Sequence, residues 1–258
     1  MRTSRHWKEA TGSLTEAFSW AKWFFSIRRE KSAIRLLSLQ RKHVGDRCFI
    51  IGNGPSLKET DLSLLKYEFS FGLNRIFLAF EERSFQPTYL VAVNRLVIEQ
   101  SFTEINNLDM PKFLNWDFRN YIRFDKNTIL LRPINHIPFS TDLTTGVRVG
   151  STVTYVAMQL AFYMGFKQVI LIGVDHSFET KGPPNKEVVT TDIDPNHFSP
   201  DYFGKGFRWN LPDLAGSEEF YQIAKTMFEK DGREIIDATI GGKLEIFNKI
   251  DYNEIQFK

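Results

Sequence analysis

One cysteine in 258 residues, Cys48, leaves no disulfide and no cysteine metal cluster to build, and a thiol inside an apolar run fits the reducing cytoplasm. Long apolar runs are missing too. None approaches the roughly 20 residues needed to span a bilayer, and the first residues carry no secretory apolar region. Histidines number only five, so a histidine in a loop is informative. What is present, 42% hydrophobic, 14% aromatic and 25% charged residues, suits a globular protein with a sizeable core.

The net charge of +2 hides an asymmetry. Residues 1 to 47 hold eleven Lys/Arg against four acids, hence +7, and the chain total leaves −5 for the rest. From Leu14 to Leu39 the pattern reads as a helix, with Trp20, Trp23, Phe24 and Ile27 at helical spacing and Lys22, Arg28, Arg29 and Lys31 interleaved. Residues 1–44 are therefore expected to form a basic amphipathic arm and 45–258 the main domain. The arm suits peripheral contact with an anionic membrane through residues 14–42, on the inner face of the plasma membrane. It equally suits packing on its own domain or on a second copy in a homo-oligomer. Nucleic acid is the poorest partner, because a groove would not bury the apolar stripe.

Beyond Gly45, strands and helices alternate as in an α/β, Rossmann-like, doubly wound and mostly parallel sheet. Strands are expected at 47–52, 68–73, 88–93, 112–115, 128–132, 168–173 and 234–237, and helices at 57–66, 95–106, 151–165 and 214–231. The run VILIG is the most strand-like and belongs to the centre of the sheet. Residues 176–211 break the alternation; their aromatic content predicts an ordered lid rather than a solvated linker.

The stretch IIGNGPSLKETD runs from a strand through Gly52, Asn53 and Gly54 to a helix start near Ser56. Glycines allow close backbone approach, and helix-terminal amides favour an anion, so a nucleotide phosphate is the expected guest. The stretch is neither a Walker A loop nor G-x-G-x-x-G. In open α/β sheets ligands bind just beyond the strands, where this chain has Asn53, Asn74, Asn94, the helix start Arg148-Val149-Gly150-Ser151-Thr152, and Asp175. A neutral amide donates and accepts at once, as a ribose, a sugar hydroxyl or a base edge requires.

Taken in order, GNGPSLKETD, GLNRIFL, the strand ending in Asn94 and GSTVTYVAMQLAFYMGFKQVILIGVD resemble the bacterial sialyltransferases of the Campylobacter type and the related MptE-like domain of archaeal 6-hydroxymethylpterin pyrophosphokinases, over about residues 45 to 250. The resemblance implies Asn53, Ser56 and Asn74 around a nucleotide and its phosphate, Asn94 toward a donor sugar, and Ser151 and Thr152 supplying a hydroxyl and amides. It also implies a lid Tyr followed three residues later by a catalytic His. Here Tyr202 is kept and Lys205 stands in the histidine's place. A protonated lysine is a poor base but a good counter-ion for a leaving phosphate, a task that Arg148, Arg208 and Tyr202 could share. The base then falls to His197, or to a carboxylate such as Asp175 or Asp201, with His176 as second choice among the histidines.

The function expected is a sialyltransferase-like glycosyltransferase with a nucleotide-sugar donor, a CMP-sugar in preference, and a glycan or glycolipid acceptor, serving bacterial surface polysaccharide synthesis. No further cofactor is required and no metal site is assigned, since Asp192-Ile193-Asp194 lies in the lid rather than after a strand. One alternative is pyrophosphate transfer from ATP to a pterin alcohol, which would add Mg²⁺. The other is a non-catalytic nucleotide-binding protein that lost its base.

Overall fold

The computed structural model describes residues 21–258; the part of the expected arm helix before Ala21 lies outside the described residues. Ten strands follow in chain order: β1 (Arg47–Ile51), β2 (Phe69–Leu73), β3 (Tyr89–Ala92), β4 (Lys112–Asn115), β5 (Thr128–Leu131), β6 (Gln168–Ile172), β7 (Glu187–Val189), β8 (Arg208–Asn210), β9 (Glu234–Asp237) and β10 (Asn248–Lys249). The helices are α1 (Ile27–Leu39), α2 (Phe80–Arg83), α3 (Arg95–Asn107), α4 (Val153–Met164) and α5 (Leu214–Lys230). Eight strands form one sheet, in the order β10-β9-β6-β1-β2-β3-β4-β5. Every neighbouring pair in it is parallel.

A parallel sheet covered on both faces needs strands apolar on both faces, and Cys48, Phe49, Ile50 and Ile51 of β1 are all fully buried. Alternate residues feed two cores, because side chains on a strand point to opposite faces with period two. Cys48, Ile50, Val169 and Leu171 pack with α4 and α5. Phe49, Ile51, Ile170 and Ile172 pack with α3 and with the lid aromatics Phe198, Tyr202, Phe203 and Trp209.

Helix α1 does not stand apart from the domain as a free arm. Ser32 Oγ accepts from the Leu130 amide at 3.0 Å, and Arg35 donates to the carbonyls of Asp125, at 2.7 Å, and Thr128. These side chains satisfy backbone groups that edge strand β5 would otherwise leave open. Trp23 meets Trp116 edge-on at 4.7 Å, and Leu36 and Leu39 enter the core. The separation expected at residue 44 therefore does not divide the packing. Phe24, Phe25 and Ile27 stay exposed beside Lys22, Arg28 and Arg29.

The helix expected over 57–66 is instead two 3₁₀ turns, Pro55–Lys58 and Leu62–Leu65. Polar side chains compete here with α-helical bonds. Thr60 Oγ1 donates to the Ser56 carbonyl, and Asp61 accepts from both the amide and the hydroxyl of Ser63, restarting the chain as a cap. The lid packs Phe198, Tyr202, Phe203 and Trp209 into the second core and contains the antiparallel hairpin β7-β8.

Candidate functional site

Strand β1 is where the sheet changes direction: β2 to β5 lie on one side of it, β6 and β9 on the other. Beyond the carboxyl ends of β1 and β6 lies a cavity of about 160 Å³, and an adjoining one of about 300 Å³ shares Asn74, Ser151, Thr152, His197 and Tyr202 with it. This is the crevice at which open α/β sheets bind ligands.

The glycines at the end of β1 face the protein rather than a ligand. A Cβ on Gly52 would lie 2.2 Å from the Gly173 carbonyl oxygen, and one on Gly54 would strike the Asp175 carboxylate. Gly173 itself sits at φ +64°. The turn already holds an anion: Ser56 donates to Asp175 through its amide at 2.9 Å and through its hydroxyl at 2.7 Å. Burial pushes the Asp175 carboxyl up from its ordinary range, against the pull of the two Ser56 bonds. Both functions expected here change accordingly. Ser56 is committed to Asp175, and Asp175, which still lines the cavity, has both of its oxygens engaged by Ser56.

The strand-end asparagines divide into two kinds. Asn94 caps α3, its oxygen accepting from the Val97 amide, and Asn115 accepts from the Asp117 amide while donating to the Val93 carbonyl. Asn53 donates to the Leu73 carbonyl at 2.9 Å, yet its Oδ1 has no partner, and neither has that of Asn74. Asn74 sits at φ +49°. A buried oxygen without a partner costs about 1–3 kcal/mol, and both residues line the cavity.

On the opposite wall α4 begins. Thr152 caps it, accepting from the Thr154 amide at 3.3 Å, and Ser151 and Thr152 line both cavities. The N-terminal end of a helix and its dipole favour a negative group, so this wall is the electropositive one. The adjacent wall comes from α5, with Ser217 and Tyr221.

Among the described residues, the lid supplies the one histidine–carboxylate pair whose histidine lines both cavities. His197 Nδ1 donates to Asp194 Oδ2 at 2.7 Å, and its ring stacks on Tyr202 at 3.9 Å and 11°. Asp194 also accepts from the amides of Asn196, at 2.8 Å, and Phe203, at 3.2 Å, so it is held at both oxygens. A carboxylate that takes the Nδ1 proton leaves Nε2 of the neutral ring as the acceptor, the arrangement a general base requires. Asp194, considered in sequence only as half of a metal motif, is the group that orients His197. Tyr202 is buried, and burial drives its phenol well above the ordinary range. A second pair, His176 Nε2 with Glu218 at 2.8 Å, lines the far side of the smaller cavity, but half-exposed Glu218 holds it less firmly.

Arg75, which sequence reasoning passed over in GLNR, clamps the lid. Buried, it donates to the carbonyls of Asp201, at 3.0 Å, and Tyr202, and lies 4.5 Å from the Phe207 ring centroid. The Phe198 amide bonds the Asn53 carbonyl at 2.9 Å, tying the lid to the turn. Three expected phosphate ligands are elsewhere. Arg148 bonds Asn135 and covers Phe220, Lys205 is exposed on the outer turn of the lid, and Arg208 joins Arg95, Glu99 and Glu187 in an exposed ion-pair group. Asp201 is exposed and reaches Arg75 only through its backbone carbonyl. Among the described residues no group of three or more His, Cys, Asp or Glu could hold a metal ion, and no helix is long and apolar enough to cross a membrane.

A family model described as 6-hydroxymethylpterin diphosphokinase MptE-like matches residues 23–181. The chain belongs to that family. The match takes in α1, the turn, the strand-end asparagines and the start of α4, and it stops before His197 and Tyr202, so the lid of this MptE-like chain lies almost wholly outside the matched region. No curated protein matches. Among solved structures, the Maf glycosyltransferase from Magnetospirillum magneticum AMB-1 superposes with a TM-score of 0.53 at 11% identity, over 90% of this chain and 40% of its own. That likeness is one of fold. The MptE-like chain thus spans less than half the length of that glycosyltransferase, and the fold they share is a Rossmann-like sheet.

Proposed function

We propose that this chain is a glycosyltransferase of sialyltransferase-like chemistry, moving a sugar from a nucleotide-sugar donor, a CMP-sugar in preference, to a glycan or glycolipid acceptor of a bacterial surface polysaccharide. The observation that carries the proposal is the His197–Asp194 pair stacked on Tyr202 over the cavity at the β1/β6 crossing point. In the step proposed, His197 Nε2 takes the proton of the acceptor hydroxyl as that oxygen bonds the anomeric carbon. The bond from that carbon to the phosphate oxygen breaks, and its electron pair leaves with the nucleotide. Asp194 stabilises the imidazolium that forms. The start of α4, with the Ser151 hydroxyl, takes the departing phosphate, the place where negative charge grows.

The family's description favours a second reading, diphosphate transfer from ATP to a pterin alcohol, with Mg²⁺ on the phosphates. A thermal-shift and calorimetric panel of CMP, CDP, UDP, GDP, AMP and ATP, each with and without Mg²⁺, separates the two. Ligand at 100 times its Kd stabilises the fold by about 2.7 kcal/mol. Stabilisation by CMP without metal is expected. A response confined to ATP with Mg²⁺ would replace the glycosyltransferase by the diphosphokinase.

A further inference from the structure

The geometry points to Asn53 and Asn74 as the residues that read the ribose hydroxyls of the nucleotide, and not its phosphate; the inference rests on the cavity being a nucleotide site. The amide of Asn53 cannot turn over. Its nitrogen donates to the Leu73 carbonyl, and a flipped amide would set oxygen against oxygen. The group left over is an acceptor. Asn53 is only 8% exposed, its Oδ1 finds no partner in the protein, and the residue lines the cavity.

Asn74, at the end of the neighbouring strand β2, repeats the situation. Its Oδ1 is likewise unpartnered, and the residue lines the same cavity. Two orphan acceptors at adjacent strand ends call for a ligand with two donors. A phosphate has none when ionised and would be repelled. The carboxylate of Asp175, beyond the next strand end, adds to that repulsion from the same wall. A cis-diol supplies both donors. In dinucleotide-binding sheets, the ribose is held by an acceptor about 20 residues past the glycine turn, which is where Asn74 falls after Gly54.

Asn94 and Asn115 serve as internal controls. Each also ends a strand, but a backbone amide occupies each oxygen, so neither offers an orphan acceptor. Polarity then runs across the cavity, with acceptors at the ends of β1 and β2 for the sugar and donors at the start of α4 for the phosphate.

The test is calorimetric titration of the full chain with CMP and AMP, each beside its 2′,3′-dideoxy form and its nucleoside, repeated on Asn53→Ala, Asn74→Ala and, as control, Asn94→Ala. Wild type should bind the better nucleotide roughly five- to tenfold more tightly than its dideoxy form. That preference should fall toward one in Asn53→Ala and Asn74→Ala and persist in Asn94→Ala. The ratio of nucleotide to nucleoside affinity should be the same in all four proteins. Equal binding of dideoxy and ribose forms by wild type, a comparison that needs no variant to fold, overturns the inference while leaving the nucleotide site standing. A collapse of the nucleotide-to-nucleoside ratio in Asn53→Ala also overturns it, by making Asn53 a phosphate ligand. Failure of every nucleotide to bind removes the site itself.

Discussion

A carboxylate engaged at both oxygens and a histidine engaged at one nitrogen set the chemistry at the scale of single residues. Asp175 fills the turn that the sequence offered to a phosphate, and His197 is free at Nε2 because Asp194 takes its other nitrogen. The buried His43 shows the same physics without a functional role. It stacks on Phe166 at 4.5 Å and 8°, meets the Tyr89 hydroxyl at 3.1 Å, and burial lowers its pKa below 6.5 despite Asp46. A lowered pKa means that the unfolded chain takes up the proton more readily, so the stability is complete above about pH 6.5 and drains away as the pH falls through the folded value. Glu68, lowered against burial by Arg47, and Asp125, lowered against burial by the Thr128 hydroxyl and then by Lys112, act in a separate, more acidic window. Urea midpoints should therefore fall between pH 7.5 and 5.5 in wild type and fall less in His43→Gln. Parallel slopes for the two proteins would remove His43 from the account.

Elements differ in how far the sequence foretold them, and the reason is range. Strands β1 to β6 and β9 fall within a residue of their expected bounds, because each is a short apolar run whose burial is written in its own composition. The segment 57–66 misled because its apolar residues keep helical spacing while Thr60 and Asp61 redirect the backbone. The hairpin β7-β8 was illegible, since the pairing of Glu187 with Asn210 links residues distant in sequence and partly exposed. The same holds for the site. Asn53, Asn74, Ser151, Thr152 and His197 carried local signals, whereas Arg75, Asp194 and Glu218 gain meaning only from what they touch. Arg75 makes the lid testable as an element. Arg75→Ala removes its donors to the Asp201 and Tyr202 carbonyls, and lid residues 190–207 should exchange amide protons at least about tenfold faster, a loss of about 1.4 kcal/mol locally. Protection in β1 and β6 should be unchanged. Uniform loss across the sheet would show that Arg75 supports the whole fold instead.

At the scale of the molecule, a fully parallel sheet closed at one edge by α1 and covered by an aromatic lid leaves its crevice at the β1/β6 crossing, with a proton acceptor in the lid and a helix start opposite. The measurement that bears most directly on this account compares wild type with His197→Gln in two readouts: calorimetric binding of CMP, and release of CMP from a CMP-sugar in the presence of a glycan acceptor. General-base catalysis is worth typically 10²–10⁴-fold. The variant should bind CMP within about threefold of wild type, because the ring stacks on Tyr202 and is not placed on the phosphate, and should release CMP at least about a hundredfold more slowly. Undiminished release by His197→Gln would contradict the account, since the pair on which it rests would then carry no part of the chemistry.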